Sequence, residues 1–495
     1  MAKIGFDNEK YIALQSEKIR ERIRLFGGKL YLEFGGKLFD DFHASRVLPG
    51  FSPDSKVKML MKLKDQAEIV IVINAGAIET NKKRGDLGIG YDQDVLRLID
   101  AFRAIGLYVG SVVITCFSEH SSVIKFENRL KTLGIKVYRH FTIENYPSDI
   151  PHIVSEEGFG KNDYVETERS LVVITAPGPG SGKMAVCLSQ LYHDYLRNIK
   201  SGYAKFETFP IWNLSLAHPV NLAYEAATAD LSDVNMIDPF HLEAYGQTTV
   251  NYNRDIEIFP VLNAMMGKIM GESPYKSPTD MGVNMAGYAI FDDEAVCDAA
   301  KQEIIRRYYK TLVLAKLDAS HNSEVLNQEL IMRKAGVSIE NRGVVEAALK
   351  KAEQTGGPSV AVELNCGKII TGRTSSLLGA CSSALLNALK ELAGIADEVN
   401  LISPFIIEPV QRLKTEYMGN HNPRLHIDEI LIALSICAAT DETARLALDQ
   451  LPKLHGCELH STVILSAADE HALRKLGINV TCEPIHESKK LYHAR

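Results

Sequence analysis

The chain has 495 residues, 46% of them hydrophobic and 24% charged, with a formal net charge of −7. This length exceeds what one hydrophobic core usually reaches, so two to four domains are expected. The acidic balance gives no general reason to bind nucleic acid, and the absence of long apolar runs predicts no membrane partner. The eight cysteines are scattered without a C-x-x-C pair, so the expected location is the cytoplasm.

The first half of the chain predicts an α/β fold. A charged helix over residues 9–26 precedes an extended segment at 29–36. Apolar strands are then predicted at 69–73, 108–115, 135–140, 171–175 and 203–209, with helices at 94–105, 122–133 and 183–199. This alternation is typical of a Rossmann-like parallel sheet covered by helices on both faces.

The second half predicts a helical middle region followed by another α/β part. Helices are expected at 219–231, 259–270 and 292–314, with irregular polar stretches between them. A β-hairpin is expected at 360–372, a helix at 382–393, and a strand–helix–strand unit over 461–482. We therefore predict three domains: a Rossmann-like phosphate-binding domain at 1–230, a helical domain at 231–320 and an α/β domain at 321–495.

The turn between strand 171–175 and helix 183–199 reads Ala-Pro-Gly-Pro-Gly-Ser-Gly-Lys. Glycines let backbone N–H groups converge, and a helix N-terminus favours negative charge. The predicted phosphate-binding set is Gly178, Gly180, Ser181, Gly182 and Lys183. The expected partner is a small phosphorylated ligand, and a nucleotide is one candidate cofactor. The structural alternative is a tight strand-to-helix turn with an incidental lysine.

The turn departs from the usual phosphate-binding loop in two places. Pro177 stands where the first glycine belongs, and Met184 replaces the hydroxyl residue that would hold magnesium. No metal ligand is therefore predicted at this turn, and dependence on magnesium is expected to be weak. Because several strand–helix units precede the turn, a permuted sheet is expected. Ligands of such sheets bind at the carboxyl ends of the strands, which makes 74–77 and 115–118 candidate neighbours of the turn.

Carboxylates and imidazoles are concentrated between residues 218 and 243. Asp238, His241 and Glu243 are predicted to supply the acid–base groups, or else groups that bind a divalent metal. The alternative is that these are helix caps and surface charges. Elsewhere, residues 84–92 predict either a mobile substrate loop or a helix entry capped by Asp92, and Cys381 fits a buried small residue better than a nucleophile.

Five strings, at 28–37, 175–184, 205–213, 233–246 and 277–287, identify the chain as resembling a bacterial family catalogued only as domain of unknown function eighteen-forty-six. The resemblance runs nearly end to end and implies no activity. Met184 belongs to the family string. The C-terminal part also resembles, more weakly, a cytidine-deaminase-like fold. The zinc-binding motif of that fold would fall near Cys381, where its glutamate is missing, so a zinc-free domain is expected.

These observations favour an enzyme, a transferase or hydrolase and not a metalloprotease, that acts on a phosphorylated small molecule or nucleotide. The competing hypothesis is a non-catalytic protein that senses a phosphometabolite at the same turn. Self-association into a homo-oligomer is compatible with both hypotheses.

Overall fold

The computed structural model describes residues 3–36, 38–39, 41–84, 88–231 and 233–487. The strands are β1 Leu30–Phe34, β2 Ala67–Asn74, β3 Tyr108–Thr115, β4 Lys136–Arg139, β5 Leu171–Thr175, β6 Gly202–Phe206, β7 Asn235–Ile237, β8 Val250–Tyr252, β9 Gly282–Val283, β10 Ser359–Glu363, β11 Ile369–Arg373, β12 Glu458–Ser461 and β13 Asn479–Cys482.

The helices are α1 Asn8–Leu25, α2 Phe42–Val47, α3 Ser55–Lys62, α4 Ala75–Glu79, α5 Tyr91–Ala104, α6 Ser121–Thr132, α7 Ile150–Ile153, α8 Lys183–Leu196, α9 Pro219–Ala227, α10 Pro239–Tyr245, α11 Asn253–Met270, α12 Pro278–Met281, α13 Asp293–Leu317, α14 Asn322–Ala335, α15 Gly343–Thr355, α16 Ala380–Ala393, α17 Pro404–Arg412, α18 Ile427–Ala438, α19 Glu442–Leu448 and α20 Ala467–Lys475. Among the described residues, none of the helices is both long and apolar enough to cross a membrane.

The chain divides into two compact units. One comprises Ile4–Glu225 and Ser232–Ala299, and the other contains Ala226–Leu231 and Ala300–Arg495. The division into three domains expected from the sequence stays a prediction.

The first unit is built on a seven-stranded sheet in the order β4-β3-β2-β5-β1-β6-β9. All of its neighbouring strands run parallel. β5 is buried along its whole length, and β2 is buried up to its last residue. Such continuous apolar strands are typical of a parallel sheet covered on both faces. The predicted α/β, Rossmann-like fold is confirmed.

The second unit contains a four-stranded sheet in the order β11-β10-β12-β13. β10 and β11 form the predicted antiparallel hairpin, with Val360 opposite Gly372. β12 and β13 run parallel and are joined through α20. Helices α16 and α18 supply much of the apolar core on this sheet.

The structure corrects several predicted elements. The strand expected at 203–209 ends at Phe206, because its partner β1 ends opposite it at Phe34, and the short β9 lies outside it. The strand expected at 461–466 is β12, which ends at Ser461. The apolar residues that follow are only partly buried and lead into α20.

Two further corrections concern loops. Parts of the stretch expected to be irregular pair as the antiparallel strands β7 and β8. The predicted Asp92 cap is wrong, since the residue before α5 is Gly90, and no side chain caps this helix. Residues 85–87 of the predicted 84–92 loop lie outside the described residues.

Candidate functional site

The centre of the large sheet has a topological switch point between β2 and β5. These strands are neighbours, but the chain leaves β2 toward β3 and leaves β5 toward β6, which lies in the opposite direction. Right-handed crossovers in opposite directions place the connecting helices on opposite faces of the sheet. A crevice therefore opens at the carboxyl ends of β2 and β5, where ligands of open α/β sheets bind.

The glycine-rich turn follows β5 directly into this crevice. Gly180 and Gly182 have φ of +74° and +86°, which side-chain-bearing residues rarely adopt. Gly182 is the N-cap of α8, and no side chain caps this helix. Its first N–H groups are therefore available to an anion.

The carboxyl end of β3 supports the same turn. Thr115 Oγ1 donates a hydrogen bond of 2.7 Å to the backbone oxygen of Ser181. Ser181 itself is only 4% exposed. Its Oγ has no hydrogen-bond partner within the described part of the chain, although buried hydroxyl groups are normally paired.

A pocket of about 250 Å³ occupies the crevice. The turns after β2 and β5 form its walls, as the sequence predicted for residues 74–77. The lining residues are Ile73, Asn74, Gly76, Ala77, Thr80, Lys82, Tyr91, Pro177, Pro179, Gly180 and Ser181. Of the predicted phosphate-binding set, Gly180 and Ser181 thus line the pocket. None of these lining residues is acidic.

Gly178 packs the turn against Tyr91, the first residue of α5, which lies between β2 and β3. A Cβ at this position would lie 2.3 Å from the Tyr91 hydroxyl oxygen and 2.7 Å from the ring carbon that bears it. A larger residue would therefore force the ring and the turn apart. The same ring also contacts a lysine: Lys82 Nζ lies over the Tyr91 ring, 5.3 Å from its centre.

Lys183 is the first residue of α8 and is half-buried. No hydrogen bond or ion pair engages its ammonium group in the parts of the chain described above. It lies one turn before Cys187. Burial and nearby Glu33 raise the pKa of Cys187 well above its ordinary value, and Lys183 opposes that rise. Lys183 is therefore near the pocket's turn without being one of its lining residues.

The predicted acid–base residues lie around α10. Asp238 is fully buried as the N-cap of this helix. Its carboxylate accepts hydrogen bonds from the N–H groups of Phe240 and His241 and from the N–H and Oγ1 of Thr279. His241 Nδ1 lies 2.8 Å from Ser277 Oγ, and Glu243 is exposed. These three residues do not line the switch-point pocket, and their acid–base role stays a prediction.

A buried charge cluster at the carboxyl end of β6 was not predicted. Lys205 Nζ lies 2.8 Å from Glu207 and also contacts Asp255 and the Tyr252 hydroxyl. Tyr252 donates a hydrogen bond of 3.0 Å to Glu207. Burial raises the pKa of Glu207 to about 7; Lys205 opposes this rise and Asp255 adds to it. The alternation of charged and apolar residues in 203–209 resembles an ordinary half-buried strand, so the sequence carried no signal for the cluster.

One group of side chains has the spacing of a metal site. His218, Asp293 and Cys297 offer ligand atoms within 4.8 Å of one another. However, Val220 N–H donates to His218 Nδ1, which places the imidazole proton on Nε2, 3.0 Å from Asp293 Oδ1. A metal at Nε2 would require the opposite tautomer. This geometry fits a histidine–carboxylate hydrogen bond better than a metal centre.

Cys381 is the second residue of α16, at the position where the sequence comparison placed the zinc-binding motif of a deaminase-like fold. It is 5% exposed in α16, and burial raises its pKa well above the ordinary value. A buried thiol of this kind is a poor nucleophile. The likeness of this region to a deaminase-like fold stays a prediction.

Fold and site together define an α/β protein with a glycine-rich turn at the switch point of a parallel sheet. The model of "Domain of unknown function DUF1846, N-terminal" matches residues 4–336, and that of "Domain of unknown function DUF1846, C-terminal" matches residues 340–492. The chain belongs to this family, as the resemblance predicted.

Streptococcal relatives match along their whole length. A "UPF0371 protein" of Streptococcus thermophilus is 59% identical over 492 residues, covering 99% of this chain and all of the relative. A "UPF0371 protein" of Streptococcus equi subsp. zooepidemicus is 58% identical over 494 residues and covers all of both chains. A "UPF0371 protein" of Streptococcus pneumoniae is 58% identical over 492 residues, covering 99% of this chain and all of the relative.

Proposed function

We propose that the switch-point pocket binds the phosphate group of a small molecule at residues 178–183. The observation that carries this proposal is the buried Ser181 Oγ, which has no hydrogen-bond partner among the described residues and lies next to a helix N-terminus that no side chain caps. A bound phosphate oxygen would supply the missing hydrogen-bond partner and accept from the free N–H groups. The acid-free lining of the pocket is consistent with an anionic ligand.

The protein acting on this ligand is proposed to be a cytoplasmic enzyme, a transferase or hydrolase for a nucleotide or another phosphorylated small molecule. All eight cysteines are free thiols, which agrees with a reducing compartment. The pocket volume lies near the lower limit for small-molecule sites, which favours a ligand of a few phosphate-sized groups.

The phosphate site can be tested by calorimetry with inorganic phosphate, glycerol 3-phosphate and ATP. Lys183→Ala removes a nearby charge that has no hydrogen-bond or ion-pair partner among the described residues. This substitution is expected to weaken binding by about 2 kcal/mol, the scale of a charge-assisted hydrogen bond. Lys125→Ala changes an exposed lysine of α6 and serves as the matched control. Failure of wild-type protein to bind any of the three compounds at millimolar concentration would contradict the proposal.

A sensor is the second candidate, because the residues that line the pocket include no carboxylate or imidazole to act as acid or base. Turnover of a bound compound distinguishes the two functions. If turnover is found, Glu243→Gln tests the predicted acid–base role at an exposed position. Asp238→Asn is less informative because it also disturbs the cap of α10.

A further inference from the structure

A cationic side chain lines the pocket itself, separate from Lys183 at the start of α8. Lys82 lines the pocket and is exposed. No carboxylate pairs with its ammonium group in the described part of the chain. A lysine without a carboxylate partner, in a concave pocket with no acidic side chain among its described lining residues, concentrates anions there.

The structure fixes the position of this lysine relative to the glycine-rich turn. Tyr91 N–H donates a hydrogen bond of 2.8 Å to the Lys82 carbonyl oxygen, and the Lys82 ammonium lies over the Tyr91 ring. The hydroxyl end of the same ring packs on Gly178. One tyrosine therefore connects Lys82 to the turn that is proposed to bind phosphate.

The two cations differ in their surroundings. Lys183 is half-buried and lies near Cys187 on α8, whereas Lys82 is an exposed lining residue that follows α4. The phosphate proposed at the helix N-terminus binds on the wall that follows β5, whereas Lys82 belongs to the wall that follows β2. A ligand with two separate anionic groups would contact both walls.

From this arrangement, and resting on the proposed function, we infer that the pocket takes a ligand with two anionic groups. The first is a phosphate on the 178–183 turn. The second, a further phosphate or a carboxylate, binds Lys82. Diphosphates and phosphorylated carboxylic acids share this chemistry.

The test compares ligands that differ only in the second group. Inorganic phosphate is paired with pyrophosphate, and glycerol 3-phosphate with 3-phosphoglycerate. Binding is measured by calorimetry for wild type, Lys82→Ala and Lys83→Ala. Lys83 is the adjacent exposed lysine that does not line the pocket, so its substitution changes the net charge equally.

We expect wild type and Lys83→Ala to bind at least one member with two anionic groups about tenfold more tightly than its partner. Lys82→Ala should lose most of that preference and keep the affinity for inorganic phosphate. The pair that shows the preference identifies the second group as phosphate or carboxylate.

Two results would overturn the inference while leaving the phosphate site intact. In one, Lys82→Ala retains the preference. In the other, Lys82→Ala weakens phosphate and pyrophosphate by the same factor, which would mean that Lys82 contacts the first phosphate. A protein that binds neither phosphate nor glycerol 3-phosphate contradicts the proposed function itself.

Discussion

Replacing Ser181 is expected to affect the stability of the protein and its phosphate binding in opposite directions. Its Oγ is buried without a partner in the described structure, which costs free energy that alanine would not. We expect Ser181→Ala to leave the free energy of unfolding unchanged or to raise it by up to about 1 kcal/mol, and to weaken phosphate binding by a similar amount. Urea denaturation and calorimetry on the same preparation measure both quantities.

Ser189→Ala is the matched control for Ser181→Ala. Ser189 Oγ is buried but lies 3.1 Å from the Asn162 side-chain nitrogen, which donates to it. The control should therefore lose stability, since it leaves a buried donor without its acceptor. Loss of stability in Ser181→Ala, of the same size as in the control, would show that the hydroxyl has an unrecognised structural partner.

Glu207 should make stability depend on pH. Its pKa is raised from an ordinary 4.5 to about 7 by burial, so the folded chain binds more protons than the unfolded chain between these values. The free energy of unfolding then falls as pH rises through this window, by on the order of 1–3 kcal/mol.

Glu207→Gln cannot titrate and should flatten this dependence. Denaturation of wild type and variant at pH 5 and pH 8 measures the difference, with the exposed Glu119→Gln as control. An unchanged slope in Glu207→Gln would mean that Glu207 stays ionised in the folded protein, held by Lys205.

The turn between β5 and α8 is expected to bind its ligand with little dependence on magnesium. Met184, the second residue of α8, offers no oxygen at the place where phosphate-binding loops hold the ion. Titration of pyrophosphate with and without excess magnesium should give affinities within a factor of about three. A gain of tenfold or more would show that carboxylates elsewhere bind the ion.

The elements of the large sheet were largely predictable, because apolar β-branched strands and amphipathic helices alternate clearly there. The elements whose bounds were predicted wrongly are those that depend on a neighbouring strand. β6 stops where β1 stops, and the two residues of β9 form a strand only because β6 lies beside them. No local pattern contains that information.

The same reasoning applies to the pocket. The glycine-rich turn can be predicted from its own residues, because a positive φ and the start of a helix each favour particular residue types. Lys82 and Tyr91 carry no such local signal, because their role arises from the contact of Tyr91 with Gly178, far along the chain, and from the packing of Lys82 on Tyr91. Asp238 caps α10, which is the alternative that the sequence left open and which Asp-Pro before an apolar helix also fits. Its acid–base role stays a prediction.

The metal content of the purified protein tests whether the chain holds a zinc ion. We expect protein purified without chelators or a histidine tag to contain well under one zinc per chain, since Cys381 is buried and His218 is held in the tautomer that disfavours a metal. Elemental analysis measures this. About one zinc per chain, lost in His218→Ala or in Cys381→Ala, would overturn the prediction and identify the site.

The strand order also has a consequence for synthesis of the chain. Among the described strands, β1 pairs only with β5 and β6. Leu30 therefore cannot pair until the ribosome has added Leu171, its partner in β5. At typical translation rates this separation corresponds to roughly ten seconds or more. During that time an apolar strand has no neighbour, while β2, β3 and β4 can already pair. The nascent chain therefore passes through a stage with an open β1, when chaperone binding or aggregation competes with folding.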